Sequence, residues 1–389
     1  MTGSTTMIGA IEKLLNLPGT TVIGYQLIEG FICLHLKLLS RGINCNYCQE
    51  YTEEFHQSKI LLVRDLPSFG KPVYLRVPRR RFYCRQCQKY VTEKLEFIDW
   101  RRVYTRRYEQ DITERVIRSN VEQVSREEEL TPEETQGIFQ RVSSQQKKNW
   151  TQVERLSMDE ISKRKGYRDF ITLVSNVDTG NLLEVIDSHK QEEIIAALKQ
   201  QPLEIRTRVR EVSIDMWAGF AKVIASVFPN AVVVFDRFHV MKTVNEGLNK
   251  LRKRIGINVK KSRVLLLANR SSLTDSELGQ LQEILNQSVS LRIAYELKEE
   301  FREIYESSST VKAGRNRLKK WLAQAQVFFP KAAQTIRNHL EGICNYFISR
   351  TTSGVMEGIN NKAKLIMRQG YGFTNFDNFR IRLLSSFSD

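Results

Sequence analysis

In the second half of the chain, apolar positions change period several times, and the changes mark out a sheet with helices laid against it. Short runs rich in β-branched and aromatic residues cover Leu156 to Ile161, Arg168 to Asn176, Leu182 to Ile186, Val209 to Asp215 and Ala231 to Phe235. Each has the length and composition of a buried strand. Between the later ones, Gln191 to Gln200 and Met216 to Phe228 keep the spacing of amphipathic helices, and Val177 to Asn181 reads as a turn between two strands. The pattern predicts a mixed five-stranded α/β sheet. From Lys242 to Ile348 strand signals fade. Leu281, Ile284, Leu285, Ile293 and Leu297 recur at helical spacing, and Thr274 with Glu277 forms a capping box, so this stretch reads as an all-α insertion. The helical pattern resumes from Thr351 to Arg368, where Glu357, Asn360 or Asn361, Lys364 and Arg368 share one face.

Ahead of the sheet, Tyr104 to about Lys148 predicts three short helices, the last opened by Thr131-Pro-Glu-Glu134, a capping box with Pro at the first helical position. Before them, Met1 to about Ile98 carries strand-like segments, among them Val73 to Val77 and Arg79 to Tyr83. The expected domains are 1–100, 101–150, a core of 151–241 with 349–389, and the insertion 242–348.

Polar residues at the ends of these elements point to chemistry. A carboxylate at the tip of a buried strand costs stability unless it is paired or binds a cation. Asp159, Asp215 and Asp236 occupy such positions, with Asp159 lying 56 positions before Asp215 and His239 shortly after Asp236. Glu357 sits on the late helix. Two aspartates and a glutamate are the hard oxygen donors that magnesium or manganese prefers. Two such ions about 3.5–4 Å apart serve an in-line phosphoryl transfer. Taken singly, each acid reads equally as a helix cap or surface charge. Three strands, then helix, strand, helix, strand, with acids on the first strand, the fourth strand and a late helix, is the order of an RNase H-like domain.

The cysteines suggest a second metal. Cys45-Asn-Tyr-Cys48 and Cys84-Arg-Gln-Cys87 are two knuckles separated by 35 residues, a spacing that suits a structural four-thiolate zinc site in a zinc ribbon. Disulfides are the alternative.

Charge then narrows the partner. The 389-residue chain has a formal charge of +16 at pH 7, which favours a polyanion. Arg76 to Arg118 holds 13 Lys/Arg against 6 Asp/Glu, and Met241 to Arg270 holds 9 against 1. Within the first run, Arg79, Arg80 and Arg81 are candidate phosphate contacts. Gln136, Gln140 and Arg141 on the third short helix are candidates for reading base edges, as in a helix-turn-helix, or form a polar surface. Lys312, Arg315, Arg317, Lys319 and Lys320 cluster before Trp321, which either stacks on an unpaired base or packs in the core. With no run of 18 apolar residues and no signal-peptide layout, the expectation is a cytoplasmic, nucleoid-associated protein with no membrane partner.

These features together resemble a bacterial insertion-sequence transposase of the ISL-three family, over nearly the whole chain. The resemblance rests on the four-cysteine ribbon, the helix-turn-helix, SMDEISKRKGY, VSIDMWAGF, FDRFHVMK, and TSGVMEGINNKAK followed by Arg368 to Phe373. It implies an Asp-Asp-Glu triad at Asp159, Asp215 and Glu357 holding two Mg²⁺ or Mn²⁺ ions, with Asp236 and His239 as an Asp-x-x-His signature that supports the site. It also implies a reaction: recognition of terminal inverted repeats, cleavage to leave a 3′ hydroxyl, and attack of that hydroxyl on target DNA. Because two DNA ends must be brought together, a homodimer or larger assembly is expected on physical grounds. Lys364 and Arg368 either hold a phosphate or pair with core acids. The alternatives are a nuclease of the same fold that cuts without joining, and an inactive copy acting as a DNA-binding regulator.

Overall fold

The computed structural model describes residues 2–163, 169–216, 218–370, 372–373 and 375–387, without the side chains of 2–7 and 218. The predicted edge of the second strand at Arg168, together with Arg164 to Tyr167 of the SMDEISKRKGY stretch, Trp217 and Tyr371, lies outside the described residues. The chain forms two compact units, Met1–Gln146 and Lys147–Asp389.

The first unit is larger than a ribbon. A helix, Thr2–Leu15, precedes a five-stranded sheet in which Thr20–Ile28, Phe31–Leu38, Lys71–Cys84 and Phe55–Ser68 lie side by side, with Lys89–Thr92 paired to the end of Lys71–Cys84. Two 14-residue strands make its long hairpin, turned at Phe69 and Gly70. Their alternate residues Val63, Val73, Leu75 and Val77 are fully or almost fully buried with Leu34, Leu36 and Phe97, as the two-residue side-chain period of a one-sided sheet requires.

The three expected helices follow as Arg106–Arg118, Val121–Glu128 and Pro132–Ser144, and the Thr131/Glu134 capping box forms as read. The expected domain boundary at residue 100 does not separate two bodies, because charged side chains join the helices to the hairpin. Arg64 donates to Glu128 at 3.0 Å, where Tyr108 also donates at 2.9 Å, and Asp65 accepts from Thr105 and Arg107 at 2.7 Å each. Buried carboxylates held this way are stable only while their partners stay. The attachment is therefore specific.

In the second unit the predicted strands form with ends shifted by one or two residues: β1 (Arg155–Ser162), β2 (Phe170–Asn176), β3 (Leu182–Ile186), β4 (Glu211–Ile214) and β5 (Val232–Phe235). Their order is β3-β2-β1-β4-β5, antiparallel up to β1 and parallel from β1 to β5. Side chains alternate faces. Leu156 and Met158 join the core with α1 (Gln191–Leu198), α2 (Ala218–Val227) and the insertion, whereas Ile161, Ile171 and Leu173 pack under α4 (Gly354–Gln369) and α5 (Phe376–Ser386), against Met356, Ile359, Ala363 and Phe379.

The insertion is helical as expected, but it begins earlier. Its first helix, α3 (Arg237–Arg254), starts directly after β5 because Asp236 caps it. It shares one apolar core with the sheet. Gly342 allows the insertion's end to close on β5, since a Cβ there would stand 2.5 Å from the Phe235 ring. Trp321 is wholly buried, donates to the Leu297 carbonyl at 2.7 Å and packs 4.5 Å from Phe301. It is core, so the base-stacking alternative is withdrawn.

Candidate active site

Strand register aligns three aspartates. β1 and β4 run parallel with Arg155 opposite Glu211 and Ser157 opposite Ser213, and the same offset sets Asp159 level with Asp215. β4 and β5 pair Ile214 with Phe235, and the Asp236 N–H bonds to the Ile214 carbonyl at 2.8 Å. Asp236 is therefore level with Asp215. The row crosses the carboxyl ends of the parallel strands, where open α/β sheets place their ligand sites.

Asp159 alternates with Glu160, so only one of them can face the late helix. It is Asp159, on the face of Ile161: Asn360 of α4 donates to its Oδ2 at 2.6 Å, and the Glu160 N–H donates to its Oδ1 at 2.8 Å. Burial raises the Asp159 pKa above the ordinary range, the bonds from Asn360 and the Glu160 N–H oppose the rise, and the charge of Asp215 adds to it. Glu160 is half-buried and pushed up to about 7 by burial, then by Asp215 and Asp159. Three carboxyls thus repel one another within a small volume.

Asp236 is 2 % exposed. It accepts from the His239 N–H at 3.4 Å and the Ser353 N–H at 3.1 Å, with His239 Nδ1 3.2 Å away. Burial opposes its charge, but His239 and Ser353 outweigh burial and lower its pKa. The His239 pKa is raised by the Asp236 carboxylate against the effect of burial, with Asp159 and Asp215 assisting. An imidazolium is thereby favoured beside the acid row.

Glu357 lies in the first turn of α4, one turn before Asn360. It is exposed and lines a cleft shared with Asp236 and Thr352. The segment leading into α4 is fixed at both ends of the parallel strands. Ser349 donates to buried Glu211 at 2.5 Å and Thr351 bonds to the same carboxylate, while Ser353 reaches Asp236. This clamp was not anticipated, although a glutamate opening a buried strand was its visible signal. Lys364 and Arg368 are exposed further along α4 and show no acidic partner among the described residues, so the alternative of pairing with core acids does not hold.

The donors fit a hard divalent cation. All are oxygens, and Asn360 Oδ1, beside Asp159, is buried with no hydrogen-bond partner, as expected of an atom that awaits a cation. The fit is incomplete in one respect. Among the described residues the cysteine quartet is the cluster whose ligand atoms all come within 4.8 Å of one another, and the carboxylates of Asp159, Asp215 and Glu357 do not form such a set.

That quartet is the second site. Cys45 and Cys87 sulfurs lie 3.5 Å apart, as do those of Cys48 and Cys84, far beyond a disulfide bond, and all four cysteines are free. Each knuckle is followed by a left-handed glutamine, Gln49 at φ 63° and Gln88 at φ 52°, which turns the chain back. The sulfurs suit tetrahedral zinc.

Two of the proposed DNA contacts are corrected. Arg80 is held by Glu93 at 2.7 and 2.8 Å and by Ser40, and Arg141 makes two bonds to Glu109, so both guanidiniums brace the fold. Neutralising a nearby carboxylate takes precedence over a distant phosphate when both groups are half-buried. Arg79 and Arg81 lie over the rings of Trp100 and Tyr90, and Gln136 and Gln140 are half-buried on Pro132–Ser144.

Three sequence profiles match the chain in order. One described as the zinc finger of the transposases of IS204, IS1001, IS1096 and IS1165 matches residues 41–87. One described as the helix-turn-helix domain of transposase family ISL3 matches 93–143, and one described as the transposase of that family matches 156–383, more than half of the chain. The chain is similar to the transposase for insertion sequence element IS1001 of Bordetella parapertussis, 28% identical over 378 residues that cover 92% of this chain and 91% of that protein. It is also similar to the transposase for IS1557 of Mycobacterium tuberculosis, 25% identical over 256 residues and 57% of each chain. No helix among the described residues is long and apolar enough to cross a membrane.

Proposed function

The chain belongs to transposase family ISL3 and is a DNA transposase, and we propose that it cuts and joins DNA at the edge formed by Asp159, Asp215 and Glu357. The observation that carries this reading is the alignment of Asp159 with Asp215 on the face that α4 covers, closed by the Asn360 bond. Mg²⁺ or Mn²⁺, when bound, would neutralise the reacting phosphate and favour ionisation of the attacking hydroxyl.

The protein's own groups do the positioning. Asp159 within β1 and Asp215 just past the end of β4 present oxygens from adjacent strands, and Asn360 locks the Asp159 rotamer. Glu357 completes the ligand set from α4, whose start is held by the Glu211 and Asp236 clamp. His239 lends positive charge beside the row. Lys364 and Arg368 continue along the exposed face of α4 and can hold phosphates further along the strand. Positioning and charge neutralisation are what phosphoryl transfer chiefly needs. In the first unit the ribbon, stabilised by Zn²⁺, and the helix-turn-helix recognise the terminal inverted repeats. Two ends must meet, so the active form is a homodimer or larger on DNA.

The test is cleavage and joining of labelled element ends by the purified protein with Mg²⁺ or Mn²⁺. Asp159→Ala should lower cleavage by roughly a thousandfold or more while end binding persists. Loss of end binding as well would make the acid structural. Cleavage without joining of pre-cut ends would identify a nuclease instead.

A further inference from the structure

The cleft beside Glu357 has no role in the account so far. Its volume is about 630 Å³, inside the roughly 300–1,000 Å³ typical of ligand pockets, and it lies within the second unit. It is bounded by the first half of α3, the insertion helices Ser262–Leu267 and Val289–Ser307, and the start of α4. Arg237, Lys242, Arg263 and Arg302 line it. Of its acids, Asp236 is held by its own bonds, Glu357 belongs to the proposed metal site and Glu246 remains, while Arg237 is paired with Glu306, so Lys242 and Arg263 are the cations that face an anion.

Asn245 Oδ1 is buried without a hydrogen-bond partner among the described residues, and Arg302 Nε, which also makes no hydrogen bond, stands 3.9 Å from Glu299. A buried acceptor left unpaired calls for a polar ligand. Phe238 completes the wall and is 62 % exposed, although Val240, Met241 and Val244 of the same helix are buried. A large aromatic side chain kept in solvent beside cations and a free amide is the composition of a site for a single nucleotide. Every nucleotide offers a π-face to stack, a phosphate to neutralise and a base edge that an Asn can read.

We propose that this cleft takes an unpaired nucleotide of the DNA strand adjoining the cleaved phosphate, its base against Phe238 and its phosphate beside Lys242 and Arg263. The proposal rests on the metal-assisted reading above, because the cleft is next to the scissile phosphate only if Glu357 serves that site. The volume admits one nucleotide and excludes a duplex, so the end must open locally as it is bound. Opening is cheaper where the base is already mispaired.

The experiment uses the full chain with an element end carrying 2-aminopurine at successive positions beside the cut, and the same end with a mismatch there. Binding should change the fluorescence of one flanking 2-aminopurine, and Phe238→Ala should abolish that change. Phe238→Ala should slow cleavage of the paired end about tenfold, as expected for one lost stacking contact, leave end binding and the thermal midpoint unchanged, and be largely rescued by the mismatch. Asn245→Ala should act the same way more weakly. The proposal is overturned if the 2-aminopurine stays silent, or if both variants cut paired and mismatched ends at the wild-type rate. A wild-type protein inert on both ends with Mg²⁺ and Mn²⁺ overturns the metal-assisted reading itself.

Discussion

The cysteine quartet and the proposed acid site differ in how closely their ligand atoms approach one another. The four sulfurs come from two short knuckles and already lie within 4.8 Å of one another. The carboxylates come from two strands and a helix, and Glu357 stands apart in solvent. The difference follows from charge. The pKa of Cys45 is lowered to about 6 while that of Cys87 is raised to about 12, so the quartet carries little charge without metal, whereas carboxylates repel. Burial then raises Asp159 and Glu160 further. A structural site can be finished by folding alone; the proposed catalytic one draws its ligands from separate strands and a helix.

Removing zinc should break that comparison most severely. Cys48→Ser, or prolonged chelation, should release one zinc per chain and abolish end binding, because binding energy at such sites is folding energy. Mn²⁺ binding by the second unit should be unaffected, and metal analysis with gel-shift and calorimetry would show it.

A smaller effect sharpens the other side. Glu160 has a folded pKa of about 7, above its unfolded value near 4.3. Its ionisation therefore destabilises the fold, a penalty absent below about pH 4.3 and complete above about 7. His239 is raised too, and a raised histidine contributes stability at low pH that is lost as pH rises through its folded pKa. Both signs agree. The metal-free protein should melt at higher temperature at pH 5.5 than at pH 8, and Mg²⁺ should narrow the gap. A midpoint that rises with pH would contradict this. Glu160→Gln should flatten the profile.

Smaller still is the effect of the amide. Asn360→Ala should weaken Mn²⁺ binding about tenfold, the range seen when a group orienting a ligand is lost, with the melting temperature nearly unchanged. Arg80→Ala and Arg141→Ala should lower the melting temperature by a few degrees while leaving the salt slope of DNA binding unaltered, since neither neutralises a phosphate.

What the sequence made legible was local or periodic. The five core strands, the capping boxes at Thr131 and Thr274 and the cysteine knuckles each depend on neighbours a few residues away. Asp159 and Asp215 were readable because strand ends declare themselves. The rest depends on long-range packing. The long hairpin of the first unit, two 14-residue strands, carried no distinctive turn signal, and Arg80 and Arg141 looked like free cations because Glu93 and Glu109 reach them only in the fold. Asn360 was one of two candidates on its helical face, and only the seating of α4 over β1 distinguishes it from Asn361. The Glu211 clamp joins residues 138 and 140 positions apart.

In the proposed site Glu357 joins the aspartates around shared cations. Counting Mn²⁺ bound per chain by calorimetry, in the wild type and in Glu357→Gln, tests this directly. Two ions are expected in the wild type, with one lost or weakened at least tenfold in the variant. Wild-type stoichiometry and affinity in Glu357→Gln, together with unimpaired cleavage, would contradict it.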